Sequence, residues 1–172
     1  MRKNKKWLQA TIFTFVLLVG IYIVVINTLE GKDSVTIGTK APDFTVTGLD
    51  GQMHDLSQYK GKPLIINFWG TFCPPCVREM PALQSQYDKW KDQNVQIVGM
   101  NLNESPVTVK AYLQQYNITL PILLDNDVIR KKYKVFSYPT TFYIDANGII
   151  QDIFVGEMSE NDVSTRINRL LR

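Results

Sequence analysis

Two cysteines lie close together in the sequence, and their spacing suggests redox chemistry. Cys73 and Cys76 are the only cysteines among the 172 residues of the chain, and two prolines separate them. A disulfide across so short a loop would remove little entropy from the unfolded chain, which makes a purely structural role a poor explanation. A zinc site needs about four ligands, whereas the remaining histidine, His54, is distant in sequence, and Val77 stands where a covalent haem site requires histidine. We therefore expect no metal or cofactor and favour a pair that cycles between dithiol and disulfide.

The predicted surroundings of the pair support this interpretation. Residues 64–69, LIINFW, form the continuous apolar run expected of a buried central strand. A helix is predicted after the cysteines, and backbone N–H groups at a helix start stabilise a thiolate. We expect Cys73 to be the more exposed thiol and to attack a target disulfide, and Cys76 to resolve the mixed disulfide that results.

The residues between the cysteines bear on the direction of the reaction. Neither Pro74 nor Pro75 has a backbone N–H, so two potential donors to the Cys73 sulfur are missing, while that of Cys76 remains. Fewer donors argue against a strongly depressed thiol pKa and therefore against a strong oxidant. The pattern favours a reductant.

Glu79 is a candidate for proton transfer because it follows Cys76 by one helical turn. A partly buried carboxyl beside two sulfurs should have a raised pKa and could exchange protons with Cys76. The alternative is a solvated helix glutamate capped by Arg78, and the spacing alone does not decide between the two.

Other residues near these motifs have plain structural explanations. Pro139 precedes a predicted strand, and because cis bonds are a small minority of X-Pro bonds, a strand-start proline is favoured over a cis turn. Its neighbour Tyr138 fits a core position as well as a contact surface. His54 is expected on the surface of a hairpin rather than in a catalytic role.

The amino-terminal residues differ in composition from the rest of the chain. Residues 1–6 carry four basic side chains, and residues 7–29 carry no charge. As a helix, residues 7–29 would span about 34 Å, enough for a bilayer core of about 30 Å, and the preceding positive charges predict a cytoplasmic amino terminus. A cleaved signal peptide is less favoured because no A-x-A-like site follows, and a buried core helix is the other alternative.

These features predict the domain organisation. We expect residues 1–6 to be a cytoplasmic tail, 7–29 an uncleaved transmembrane anchor, 30–40 a linker and 41–172 an extracytoplasmic domain. Without the four amino-terminal cations the chain is nearly neutral, which gives no electrostatic case for nucleic acid.

The outer domain shows alternating strand and helix patterns between two predicted hairpins. The first hairpin turns at residues 50–51 and the second at residues 147–148, each ending in glycine. A final helix follows, with Ser159 as its predicted cap. This order predicts an α/β domain with a parallel core, antiparallel strands at its end and helices packed on the sheet.

The motifs resemble a known family. NFWGTFCPPC after the predicted strand, Pro81 in the following helix and YPTTFYID further on resemble the thioredoxin superfamily. The preceding segment, IGTKAPDFTVTGLDGQMHDLSQYKGKP, resembles its membrane-anchored extracytoplasmic branch, the ResA/TlpA-type thiol–disulfide oxidoreductases. The resemblance covers about residues 35–171. It implies a thioredoxin-like fold: a central mixed sheet with helices on both faces, an amino-terminal hairpin and a central insertion at about residues 103–127.

The resemblance also implies roles for the reactive residues. It makes Cys73 the nucleophile, Cys76 the resolving cysteine and Glu79 the active-site glutamate of the branch. Plain thioredoxins have a buried aspartate where this chain has Asn67, so acid–base chemistry at that position must pass to Glu79.

Further residues are implied to bind the substrate. The resemblance makes Pro139 a cis-proline packed against the cysteine pair, which reverses the expectation from the sequence alone. Tyr138 would offer backbone groups to the bound partner, and Trp69 and Phe72 would line the site. Phe72 replaces the tryptophan usual before the first cysteine, which keeps an apolar rim but loses an indole N–H.

The implied function is reduction of protein disulfides outside the cytoplasmic membrane. The favoured substrate is apocytochrome c during cytochrome c maturation, with a CcdA-type membrane protein as electron donor, lipid around the anchor and a monomeric state. A sporulation or cell-envelope reductase of the same branch is the near alternative.

Two further classes stay open. One is a peroxiredoxin-like peroxide reductase, although no threonine stands three residues before Cys73 or Cys76, as its active-site loop requires. The other is a non-enzymatic interaction module with an inactive cysteine pair.

Overall fold

The structure, a computed structural model, describes residues 2–30 and 35–172 and divides into two units, residues 1–34 and 35–172. In the first unit, α1 (Arg2–Glu30) is one continuous helix, as predicted for residues 7–29. Among the described residues, however, no helix is both long and apolar enough to cross a membrane. Outside the described part lie residue 1 and the side chains of residues 2–6, which the predicted cytoplasmic tail covers. The side chains of residues 8–10 and 26–30, and residues 31–34 of the predicted linker, lie outside it as well.

The second unit is built on one seven-stranded sheet with the order β2-β1-β5-β4-β3-β6-β7. The strands are β1 (Thr45–Gly48), β2 (Met53–Asp55), β3 (Leu64–Trp69), β4 (Gln96–Leu102), β5 (Ile122–Asp125), β6 (Thr140–Ile144) and β7 (Ile150–Val155). Strands β3, β4 and β5 are parallel, and the outer strands pair antiparallel to them and to each other. The sheet is therefore mixed, as predicted.

Four helices accompany this sheet: α2 (Pro74–Trp90), α3 (Pro106–Gln115), α4 (Val128–Lys132) and α5 (Glu160–Leu170). α3 is capped by Ser105, whose side chain accepts from the Thr108 N–H. The predicted helix start at Ser159 is confirmed by the capping box that it forms with Asp162. Such caps satisfy backbone donors that the helix itself leaves free.

The central strand β3 separates two cores. All six of its residues are buried, and successive side chains point to opposite faces of the sheet. Ile65 packs in a core with residues of α2, α3 and α5. Ile66 packs in a second core with residues of α4 and of the segment before β3. The helices therefore lie on both faces, and the thioredoxin-like α/β fold is confirmed.

The predicted insertion contributes both a helix and a strand. It contains α3 and β5, and β5 lies between β4 and the hairpin strand β1. Both hairpins form at the predicted glycine turns, where Gly51 and Gly148 have φ of 80° and 81°, a region that favours glycine. The carboxyl ends of β3 and β4 lie side by side and carry the segments described next.

Candidate active site

The cysteine pair lies directly beyond the carboxyl end of the central strand. β3 ends at Trp69, and Cys73 is the N-cap of α2, whose first residues are Pro74 and Pro75. Proline suits these positions because the first N–H groups of a helix have no partner within the helix. The helix therefore begins immediately after Cys73 and holds Cys76 in its first turn.

The two cysteines form a disulfide bond and differ in exposure. Cys73 is 8% exposed, whereas Cys76 is fully buried, as predicted. The backbone N–H of Cys76 donates to the Cys73 sulfur across 3.4 Å, and the intervening prolines have no N–H to add. Cys73 is thus the sulfur that an external disulfide can reach, and Cys76 is the one that can attack it from inside.

Glu79 lies one turn after Cys76 on α2, and its side chain is only 1% exposed. Its Oε1 accepts from Asn67 Nδ2 at 2.7 Å, and its Oε2 accepts from the Met158 backbone N–H at 3.0 Å. Burial raises the pKa of Glu79 to about 7, and the two hydrogen bonds offset that effect only in part. A carboxyl with such a pKa can accept and return a proton near neutral pH.

The alternative environment, a solvated Glu79 capped by Arg78, is wrong. Arg78 is bound to Glu157, with its Nε at 3.1 and 3.0 Å from the two carboxylate oxygens and its Nη2 at 2.6 Å from Oε2. The physical reason is helix geometry, since consecutive residues point in different directions. Arg78 therefore faces solvent and Glu79 faces the core.

Asn67 supports Glu79 from the neighbouring strand. It is 1% exposed, and besides Glu79 its Nδ2 contacts Thr141 Oγ1 at 2.9 Å. Asn67 and Thr141 face each other in the register of β3 and β6. An ionised aspartate at residue 67 could not donate either bond. The departure from the thioredoxin pattern therefore supplies the donor that an ionised Glu79 needs.

A second carboxylate, Glu104, fixes the loop before the cysteines and was not among the predicted site residues. Its Oε2 accepts from the Thr71 backbone N–H at 2.7 Å and from Asn101 Nδ2 at 2.8 Å, and its Oε1 contacts the Thr71 hydroxyl. The available signal was its position just after the strand parallel to β3, because carboxyl ends of parallel strands share one edge.

Two of the residues implied to bind a partner, Phe72 and Tyr138, contact each other near the disulfide. The Tyr138–Pro139 peptide bond is cis, as the resemblance implies, so the expectation drawn from residue frequencies is wrong here. Pro139 is buried at the start of β6. Tyr138 packs edge-on against Phe72, with ring centroids 6.4 Å apart, and Phe72 is 59% exposed. Phe72 and Tyr138 thus form an aromatic rim beside Cys73, and their contact with a substrate stays a prediction.

Trp69 does not share that rim. Its side chain is fully buried and packs against Tyr112, with ring centroids 5.3 Å apart. Its indole nitrogen has no hydrogen-bond partner among the described residues. In this structure Trp69 therefore supports the site from within, and its predicted role in substrate binding is untested.

The contacts of His54 are with residues of the first hairpin and the segment after it, not with the cysteines. His54 is half-buried beside β1, where its Nε2 contacts the Asp50 carboxylate and its Nδ1 lies 3.4 Å from the Tyr59 hydroxyl. Within residues 2–30 and 35–172, no group of three or more His, Cys, Asp and Glu side chains is arranged to hold a metal ion.

Comparisons with known proteins agree with this geometry. Residues 37–153 match the AhpC/TSA family. The thiol–disulfide oxidoreductase ResA of Geobacillus kaustophilus is 37% identical over 172 residues, 99% of each chain. The thioredoxin-like protein YneN of Bacillus subtilis is 36% identical over 169 residues, 95% of this chain and 98% of that one.

A solved structure extends the likeness to three dimensions. The crystal structure of a putative thiol:disulfide interchange protein DsbE from Chlorobium tepidum superposes with a TM-score of 0.75 at 28% identity, covering 81% of this chain and all of that one. In fold, in sequence and in its paired cysteines, the chain thus belongs to the AhpC/TSA family and is a thiol–disulfide oxidoreductase of the ResA type.

Proposed function

We propose that the protein reduces disulfides of other proteins outside the cytoplasmic membrane. The observation that carries this proposal is the buried Glu79, with a pKa raised to about 7, one helical turn after the buried Cys76 on the helix that the more exposed Cys73 caps. An exposed thiol, an internal second thiol and a nearby proton acceptor are the three parts that a resolving thiol exchange needs.

The reaction starts from the reduced pair. The Cys73 thiolate attacks one sulfur of a substrate disulfide, which forms a mixed disulfide and releases the other substrate sulfur as a thiolate. The Cys76 thiol then gives its proton to the Glu79 carboxylate and attacks Cys73. The Cys73–Cys76 disulfide forms, the second substrate thiolate leaves, and two electrons have passed to the substrate. Glu79 returns its proton to a departing thiolate, and the other thiolate takes a proton from water.

The direction of the reaction is supported by the donors around Cys73. The Cys76 N–H is the backbone donor that contacts its sulfur, whereas Pro74 and Pro75 contribute none. Weak stabilisation of the thiolate favours a pair that gives electrons away. The test is reduction of insulin by the reduced protein, with the Cys73→Ala variant as control. No turnover would overturn the proposal, and peroxide consumption instead would favour a peroxide reductase.

The location is part of the proposal. It is supported by the uncharged residues 7–29 that follow four basic residues, a pattern typical of an anchor whose amino terminus is cytoplasmic. The test is protease treatment of intact cells with permeabilised cells as control. An extracytoplasmic domain is digested in both, and protection in intact cells would contradict the location.

The favoured substrate is the C-x-x-C pair of apocytochrome c, with electrons resupplied by a CcdA-type membrane protein. Support comes from the resemblance to the ResA/TlpA branch. Relatives named ResA and YneN are almost equally similar, so the likeness does not single out one substrate. A sporulation or cell-envelope protein is the competing substrate. Cells expressing Cys76→Ala would accumulate the mixed disulfide, and its mass spectrum names the partner. Absence of apocytochrome c would overturn this substrate but not the chemistry.

A further inference from the structure

An ion pair on the surface ties together the two segments that enclose Glu79. The Arg78 guanidinium donates to the Glu157 carboxylate through two nitrogens, and the shortest contact, from Nη2 to Oε2, is 2.6 Å. The side chains are 59% and 38% exposed. A lone exposed pair contributes little to stability, so its position matters more than its strength.

The ion pair joins the same two segments as a buried hydrogen bond. Glu79 follows Arg78 in the chain, and Met158 follows Glu157, so each side of the ion pair adjoins one side of the Glu79–Met158 bond. That bond joins Glu79 Oε2 to the Met158 N–H at 3.0 Å. The segment is fixed further by the Gly156 N–H, which donates to the Pro139 carbonyl at 2.9 Å. Arg78 and Glu157 thus hold one of the two donors of Glu79 in place.

The charge of Glu157 also reaches Glu79. Its negative charge adds to burial in keeping the pKa of Glu79 high, and Arg78 lies against Glu157 and counters that charge. The titratable residue of β6 that interacts with this segment is Tyr143, whose hydroxyl donates to Met158 Sδ at 3.3 Å. Burial holds the pKa of Tyr143 far above its usual range, so it stays neutral. Charged groups that act on Tyr143 from neighbouring elements are Asp152, Asp162 and Arg166. The cysteines carry no charge while they form the disulfide.

We propose that Arg78 and Glu157 are positioning residues that set how readily Glu79 releases its proton, by holding the Met158 N–H and by balancing each other's charge. The proposal rests on the proposed role of Glu79 in thiol exchange. It concerns residues on the surface, which never touch the reacting sulfurs, and it makes opposite predictions for the two partners.

The two charges can be removed one at a time. Glu157→Gln removes the negative charge but keeps an oxygen that can accept from Arg78, so Glu79 should release its proton more easily. Arg78→Gln leaves the Glu157 charge uncompensated and weakens the tie to Met158, so Glu79 should hold its proton more firmly. For exposed charges partly screened by solvent, each shift should be about half a pH unit.

The experiment follows the side-chain carboxyl carbon of Glu79 by ¹³C NMR between pH 5 and 9 in the full-length, disulfide-bonded protein. The midpoint should fall in Glu157→Gln and rise in Arg78→Gln, and both shifts should shrink at high salt, where the Debye length is about 3 Å. Arg78→Lys keeps the charge but loses the two-nitrogen contact, so its midpoint should lie between those of the wild type and Arg78→Gln.

A matched control is Asp88→Asn, which breaks another exposed pair on α2, between Asp88 and Lys91 at 3.1 Å. It should leave the Glu79 midpoint unchanged. Shifts of both test variants in the same direction, or no shift in either, would overturn the proposal. Because the titration needs no substrate, this failure differs from that of the proposed function, which would show as absent disulfide reduction by the wild type.

Discussion

Two carboxylates flank the cysteine pair, and the protein places them in different surroundings. Glu79, after the cysteines, is 1% exposed and receives two hydrogen bonds, one per oxygen. Glu104, bonded to the loop before them, is half-buried and accepts from the Thr71 N–H, the Thr71 hydroxyl and the Asn101 amide. The two carboxylates therefore differ in burial and in the groups that they hold.

Burial and hydrogen-bond donors have opposite effects on the pKa of a carboxyl. Burial penalises an ionised carboxyl, and each donor restores part of its stability. For Glu79 burial outweighs two donors, and its pKa rises to about 7. Glu104 uses its oxygens to fix Thr71, two residues before Cys73. We therefore expect changes at Glu79 to alter pH dependence and changes at Glu104 to alter stability.

The largest expected effect is on catalysis. Glu79→Gln cannot take the Cys76 proton, so disulfide reduction at pH 8 should slow by about 10²-fold or more, within the usual range for a general base. The inflection near pH 7 in the rate profile should vanish. Stopped-flow reduction of a model disulfide across pH 5–9 measures both.

Glu104→Gln is the matched control for that experiment. It keeps one carbonyl oxygen for Thr71 and should retain the inflection near pH 7. An inflection that survives in Glu79→Gln and disappears in Glu104→Gln would reverse the assignment of the two carboxylates.

Stability should depend on pH through Glu79. Its pKa is raised from 4.5 to about 7 in the folded protein, so folding disfavours its ionised form. The stabilisation is complete below the unfolded value and is lost as pH rises through 7. Between pH 5 and 8 the wild type should lose about 3 kcal/mol of unfolding free energy relative to Glu79→Gln. Parallel urea denaturation curves would measure this loss, and a constant difference between the two proteins would contradict it.

The next effect concerns Glu104 and the loop that it holds. Glu104→Ala leaves the Thr71 N–H and the Asn101 amide without their acceptor, which should cost about 2 kcal/mol of unfolding free energy. The cost should be the same at pH 6 and pH 8, as measured by denaturant unfolding of the oxidised protein. A cost that follows the Glu79 titration would show that the two carboxylates are coupled.

The smallest effect should come from Asn67, which donates to Glu79 Oε1. Asn67→Leu removes the amide that donates to Oε1, so the Glu79 midpoint should rise by up to about one pH unit. Thr141→Val is the control, since it removes only the other partner of that amide. NMR titration of Glu79 reads both variants, and a lowered midpoint in Asn67→Leu would contradict the role of the amide as a donor.

Local patterns in the sequence predicted much of this architecture. The apolar run of β3, the hairpin glycines and the cap at Ser159 act through neighbours in the chain, and the structure has each of them. The order of exposure of Cys73 and Cys76 also follows from their place at a helix start. Where the local pattern was ambiguous, at Pro139, the frequency of cis bonds led to the wrong expectation.

Such local patterns could not predict the hydrogen-bond partners of Glu79. The Met158 N–H comes from a segment 79 residues away, and backbone donors leave no mark in a sequence. Arg78 is adjacent to Glu79, but its partner Glu157 is equally remote. Only the packing of α2 and α5 on the sheet brings these groups together. Glu79 could therefore be predicted as a candidate from the sequence. The burial and the two hydrogen bonds that together determine its pKa could be found only in the structure.

In the proposed reaction Cys73 attacks and Cys76 resolves. This assignment is tested most directly by mixing reduced Cys76→Ala and reduced Cys73→Ala with a peptide whose single cysteine is disulfide-bonded to a small thiol, which departs when the protein thiolate attacks, followed by acid quenching and intact mass spectrometry. We expect a stable peptide adduct on Cys73 in the first variant and almost none in the second, where Cys76 is buried. Equal adducts on both variants, or an adduct through Cys76 alone, would contradict it.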